Sequence, residues 1–354
     1  MMVKGSDTAE QERLLLLIRA GLGDDIAGAF PEMSISNWQK VLEMATIQNV
    51  LPIIYDGVKR YHAEFGLDCP QAIKFSLYAT MQQAEWHYDT QLQAIQSLTS
   101  FFTKHGVRTM VLKGYALSLC YPNPMHRPCG DIDIYQFGDY KRADALIESN
   151  FGKIIDRGHH HHTVYRWKGV MVENHYDFVN IHAHKSSAWL EKHFKQLANE
   201  SCEQVGDVYL PSPNLHALFL LRHAGAHFAG EKITLRHLLD WYLFCKKYAS
   251  VVDWVYVRRC AKESGCERFM DCLQVCCDRM MGKPCAINSL AERMWNDILQ
   301  PDIECAEKNN LRKYIFKARR WWRNRWKHRM VYRENLASQL VTLTLSHIIN
   351  PKGN

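Results

Sequence analysis

Two aspartates carry the most evident chemistry in this 354-residue chain: Asp131 and Asp133, parted by one isoleucine in the run DIDIY. Alternation with period two predicts a strand, and residues i and i+2 of a strand share a face. The two carboxylates are then expected to project together while Ile132 and Ile134 face the core. Like charges held that close raise each other's pKa, a cost that a purely structural strand has no reason to carry. A hard divalent cation, Mg2+ or Mn2+, removes it. Such an ion bridges nucleotide phosphates and offsets charge developing on a transferred phosphoryl group. An Asx turn or a solvated strand end is the plain alternative.

Upstream, VRTMVLKG reads as a β-run stopped at Lys113-Gly114, with the short helix ALSLCY behind it. A glycine there lets backbone N–H groups approach a phosphate, and the helix start favours anions. Downstream, Glu173 falls in VMVENHYDF, a strand expected to share one face among Met171, Glu173, His175 and Asp177. Three carboxylates from two nearby strands suit a two-metal site. Glu173 would be a metal ligand or the general base for an acceptor hydroxyl; a surface glutamate on an edge strand is the other reading. Arg127, in the proline-rich loop PNPMHRPCG, is read as a solvated loop residue or as a contact to a triphosphate.

The elements that must position these groups follow from pattern. Residues 10–30 predict a helix with a glycine-rich end. A second helix opens on Ser36-Asn37 and breaks near Pro52, and a long one runs from about Gln71 to His105. After the strand, helix, loop and DIDIY strand come a helix over 139–152 and two β-runs joined by Lys168-Gly169, a tight hairpin turn. From Ser186 onward the pattern is helical again, clearest in LHALFLLRHAGAHFA and LRHLLDWYLFCKKYA. The expected class is α+β: a small mixed-sheet core over 106–185, between an N-terminal helical region (1–105) and a C-terminal helical region (186–354).

Composition bounds the class. With 47% hydrophobic and 23% charged residues, the chain resembles a globular protein with a real core. No apolar run approaches the ~20 residues that cross a bilayer, and the N-terminus lacks a leader pattern, so a cytoplasmic location is expected. Twelve cysteines without a CxxC pair read as reduced and buried, including Cys272 and Cys276 one helical turn apart.

The net charge of +7 is uneven: residues 308–333 hold eleven Lys/Arg and no acid, leaving 33 basic against 37 acidic residues elsewhere. Within that segment KARRWWRNRWKHR suits nucleic acid, an anionic membrane surface, or a helix docked through its tryptophans with its arginines in water. The docked helix is the leading expectation. HHHH at 159–162 alternates between faces if it lies on a strand, so it reads as a solvated edge that binds metal only adventitiously, or as part of the acceptor mouth, rather than as one four-histidine site. His223 and His227, four apart on a helix, read as core histidines, without the glutamate of an HExxH zinc motif.

Glycine after a strand, a helix, then DhD on a strand and a later third acid resembles the DNA polymerase β-like nucleotidyltransferase superfamily. More specifically, the chain is similar to an uncharacterised nucleotidyltransferase family with an LKG…YP.P..R..DIDI run. The matching residues are Leu112-Lys113-Gly114, Tyr121-Pro122, Pro124, Arg127 and Asp131–Ile134, then Glu173, His175 and Tyr176, and, more loosely, His223, His227, Leu235-Arg236 and Asp240. The superfamily's GS or GG is here Lys113-Gly114-Tyr115, which turns attention to Lys113 and Arg127 as phosphate partners. The resemblance implies a metal-dependent transfer of a nucleoside monophosphate from an NTP to an acceptor hydroxyl. Asp131, Asp133 and Glu173 would hold Mg2+ or Mn2+, and Lys113, Gly114 and Arg127 the triphosphate. The acceptor, a small molecule, an RNA or a protein, is not legible. The alternative is an inactive relative that binds RNA or a protein through residues 308–333.

Overall fold

The computed structural model describes residues 6–157, 161–182, 184–200, 202–300, 319 and 322–334. Four helices come first: α1 (Ser6–Gly21), α2 (Ile35–Ile47), α3 (Leu51–Phe65) and the long α4 (Gln71–Lys104). Ser34, not Ser36, caps α2 by accepting from the Asn37 N–H. The break before α3 falls at Gln48–Val50, where Asn49 takes φ 54. Pro52 sits in the first turn of α3, where its missing N–H costs nothing. α1 and α3 cross at Gly57, where an added Cβ would run into the carbonyl of Leu17.

The mixed region follows as β1 (Met110–Val111), α5 (Lys113–Ser118), β2 (Ile132–Tyr135), α6 (Tyr140–Asn150), β3 (His162–Trp167) and β4 (Val170–His175). Next come α7 (Lys185–Glu200), β5 (Cys202–Val205) and β6 (Val208–Pro211). The remaining described helices are α8 (Pro213–Gly230), α9 (Leu235–Tyr248), α10 (Trp254–Ser264), α11 (Glu267–Met280), α12 (Ser289–Leu299) and α13 (Arg325–Val331). The class is the expected α+β.

The strands form one six-stranded sheet in the order β3-β4-β2-β1-β6-β5. β1 and β2 are antiparallel, whereas β2 and β4 are parallel, with Asp133 opposite Glu173. The β3–β4 hairpin turns at Lys168-Gly169, both with positive φ (48 and 85), as a two-residue hairpin requires. The chain beyond Ser186 is not wholly helical: β5 and β6 extend the sheet, and β6 pairs with β1 at Met110↔Tyr209. β5 escapes pattern reading because Glu203, Gln204 and Val205 are all exposed, leaving no apolar alternation.

Alternation along β2 decides where its aspartate goes. Ile132 and Ile134 pack against Leu98 and Phe102 of α4 and Ile147 of α6. Tyr135 and Leu112 join the opposite core, with Phe178, Phe194 and Phe219. Asp133 therefore faces the α8 side, 2% exposed. Cys272, Cys276 and Cys277 are buried and free on α11, as expected. Among the described residues, no helix is long and apolar enough to cross a membrane.

Candidate active site

The end of β1 delivers a cation to the middle of β2. The Leu112 N–H donates to the Asp133 carbonyl at 2.9 Å. The next residue, Lys113, turns the chain into α5 at φ 34 and sets its Nζ 2.6 Å from Asp133 Oδ1. His175, closing β4, donates from Nε2 to the same oxygen at 3.0 Å. Glu173, opposite Asp133 in the parallel ladder, has Oε2 3.5 Å from His175 Nε2. Ligand atoms of Asp133, Glu173 and His175 thus lie within 4.8 Å of one another.

These charges set each other's protonation. Burial opposes ionisation of Asp133, but Lys113 and then His175 outweigh it and hold its pKa far below the usual range. Burial likewise opposes the Lys113 ammonium, which Asp133 and Asp131 more than offset, so its pKa is raised. For His175, hydrogen bonds to Asp133 and Glu173 overcome burial and lift the pKa to about 8. Asp131 behaves differently: burial and then the neighbouring Asp133 charge raise its pKa. β2 begins only at Ile132, so the ladder does not hold Asp131, and it stands outside the group formed by Asp133, Glu173 and His175. Both aspartates nevertheless line one cleft.

That cleft, of ≈ 350 Å³, is also lined by Lys113, Gly114, His223 and Arg236. A Cβ on Gly114 would meet only the Asp131 carbonyl at 3.6 Å and Cys129 Sγ at 3.9 Å, ordinary contact distances. Neither local packing nor backbone shape therefore demands a glycine at this position. Burial pushes His223 and His237, which also lines the cleft, well below the usual imidazole range, so both are neutral.

Arg127 lines the same cleft but is not the solvated loop residue of the plain reading. It is 4% exposed. Its Nε and Nη2 donate to Asp240 Oδ1 and Oδ2 at 2.8 and 3.0 Å, and Nη1 donates to the Gly114 carbonyl at 3.1 Å. A guanidinium so occupied positions the first turn of α5. Asp240 also accepts from Tyr121 OH at 2.8 Å and from Arg236 Nη1 at 3.1 Å. Despite its burial, Arg127 and then Arg236 hold Asp240 down to about 2. Pattern reading had no route to this pairing, because partner and loop are 113 positions apart.

The histidine run needs a second correction. His162 is buried and His161 half-buried, so neither lies on a solvated edge; His159 and His160 lie outside the described residues. The alternation rule fails because β3 starts at His162 and His161 precedes it. Burial and then the neighbouring histidines push His161 down to about 3. Much of the basic segment 308–333 also lies outside the described residues. Its described part follows the docked-helix expectation. On α13, Trp326 packs edge-on to Phe228 at 5.4 Å and Lys327 pairs with Asp297 at 2.6 Å. Arg325 lies 4.6 Å over the exposed Trp322.

The model of the uncharacterised nucleotidyltransferase family matches residues 34–282. The chain belongs to that family. The matched stretch runs from just before α2 through α11, well beyond the residues from Leu112 to Asp240 that carry the resemblance in sequence. No curated protein and no solved structure matches the chain.

A nucleotidyltransferase generally uses a divalent cation and an NTP, and the donor chemistry here fits such an ion. Asp133 and Glu173 are register partners on paired strands, and Asp131 lines the same cleft as Asp133. All three offer hard oxygen donors. Lys113 and His175 now neutralise Asp133 where a cation would, so the pocket is built to hold positive charge at that oxygen.

Proposed function

We propose that the chain is a metal-dependent nucleotidyltransferase that moves a nucleoside monophosphate from an NTP to an acceptor hydroxyl. The single observation that carries this reading is the register of β2 and β4. It sets Glu173 beside Asp133, and Asp133 lines a cleft together with Lys113 and Asp131. Asp131 and Asp133 would hold Mg2+ or Mn2+. Such an ion, when bound, neutralises phosphate oxygens and charge developing on the leaving group.

The chain's own groups supply the rest. Lys113 leaves Asp133 for the phosphates, a point charge suited to them. Glu173 accepts the proton of the acceptor hydroxyl, whose oxygen bonds to the α-phosphorus. The bond from that phosphorus to the bridging oxygen breaks, and pyrophosphate leaves. Arg127 and Asp240 fix the first turn of α5, which borders the phosphates. In this reading Asn49 from the N-terminal region (1–105) and His223 and Arg236 from the C-terminal region (186–354) wall the cleft around the 106–185 core.

The direct test supplies α-labelled NTPs, Mg2+ and a fractionated cell lysate, then asks what becomes labelled. Label in one acceptor fraction, abolished by a chelator, is expected. Absence of label, and of Mg2+-dependent NTP binding by calorimetry, would overturn the reading.

A further inference from the structure

The histidines at the start of β3 are not used by the proposed transfer. His162 opens β3 and pairs with His175 across the β3–β4 ladder. His161 is tied down by its carbonyl, which accepts from the Tyr176 and Asp177 N–H groups at 3.0 and 3.2 Å. The three rings crowd together, with centroid separations of 4.4 Å (His161–His162), 5.1 Å (His162–His175) and 5.5 Å (His161–His175). One nitrogen of each lies within 4.8 Å of the others.

A buried imidazole used only for packing normally finds a hydrogen-bond partner for its nitrogens. His161 Nδ1 is buried and meets none among the described residues. A carboxylate completes the surroundings: Glu173 Oε1 lies 3.7 Å from His162 Nε2, and Oε2 lies 3.5 Å from His175 Nε2. Imidazole nitrogens suit Zn2+, Co2+, Ni2+ or Fe2+, whereas the carboxylates of the cleft suit Mg2+. The three imidazoles therefore differ in kind from the carboxylate pair Asp131 and Asp133, with Glu173 beside both Asp133 and the imidazoles.

We propose that His161, His162 and His175, with Glu173 beside them, form a second metal site, selective for a borderline divalent transition-metal ion. Two of the three imidazoles stand on paired strands and the third is fixed by the backbone bonds of His161, which gives the site the rigidity that a metal centre requires. It rests on the β3–β4 hairpin and not on the transfer reading. His175 also hydrogen-bonds Asp133, so the two sites share a wall.

The test uses the full chain, prepared without an affinity tag and stripped by a chelator. Co2+ is then added in the presence of excess Mg2+. Uptake of one Co2+ per chain, with visible ligand-field bands that Mg2+ does not remove, is expected. X-ray absorption at the zinc edge of the unmutated chain, loaded with Zn2+, should count three imidazoles. Replacing His161→Ala and His162→Ala together should weaken Co2+ binding at least on the order of 10–100-fold, the loss seen even for outer partners. Replacing His159→Ala and His160→Ala should leave it unchanged. No uptake by the unmutated chain, or a zinc edge with oxygen donors only, overturns the proposal. So does uptake that survives loss of His161 and His162. Failure of the transfer reading looks different: no Mg2+-dependent nucleotide turnover, with Co2+ uptake intact.

Discussion

Asp240 and Asp133 are both buried carboxylates beside one cleft, yet their surroundings differ. Asp240 accepts four hydrogen bonds, two on each oxygen, from Tyr121, Arg127 and Arg236. Its acceptor capacity is filled, and every donor is held in place. Asp133 receives both Lys113 and His175 on the same oxygen, Oδ1. The first arrangement is closed and holds a loop. The second compensates a charge with two groups that can exchange partners. A closed network resists substitution by stability, an open one by function, and the following experiments separate these.

The largest expected effect is in the open network. Replacing Asp131→Ala and Asp133→Ala together should reduce Mg2+-dependent nucleotide turnover to background while the far-ultraviolet dichroism stays native. Turnover at the unmutated level would remove the cleft from consideration as a transfer site.

Asp240→Ala should show the reverse pattern. It leaves the buried Arg127 guanidinium unpaired, a change that costs roughly 3–5 kcal/mol, read from the urea midpoint. A loss under about 1 kcal/mol, as for an exposed pair, would mean that the network is not closed.

Lys113→Met comes next. If the lysine passes from Asp133 to phosphate, turnover should fall by roughly 10²–10³, the range for one donor to developing charge. The urea midpoint should move far less than for Asp240→Ala. Equal losses of stability in the two variants would erase the distinction.

The smallest effect lies at His126, which joins α3 to α4 through Asp56 at 2.6 Å and Glu85 at 3.2 Å. Burial opposes its charge, but Asp56 and then Glu85 prevail, so its folded pKa lies above the ordinary imidazole value. A raised pKa stabilises the fold below the unfolded value, and that contribution is lost as pH rises through the folded one. His126→Gln should therefore cost about 0.5–1 kcal/mol near pH 5.5. By about pH 9 the difference in melting temperature should shrink toward zero, as an imidazole loses its charge. A pH-independent difference would mean that packing, not charge, is what His126 contributes.

Local pattern made part of this legible. DIDIY announces a strand through its alternation, Lys168-Gly169 a turn through its backbone demands, and α4 its length through unbroken periodicity. What local pattern lacks is the distant partner. Arg127 reads as a solvated loop residue because Asp240 is remote in sequence. Asp131 reads as a strand residue because nothing in DIDIY marks the first ladder position. His161 and His162 read as exposed because their burial depends on His175 across the hairpin. β5 is invisible for a different reason: its side chains face water, so only backbone pairing defines it.

The parallel pairing of β2 with β4 has a consequence in time. Asp133 and Glu173 are 40 positions apart in the chain, and parallel neighbours cannot close through a tight turn. α6 and the whole β3–β4 hairpin must be laid down before the two carboxylates meet. Contacts that distant along the chain form slowly, since loop closure is costly before it is rewarded. On dilution from urea, the helical signal should return first, and the ability to bind Mg2+ with nucleotide should lag behind it.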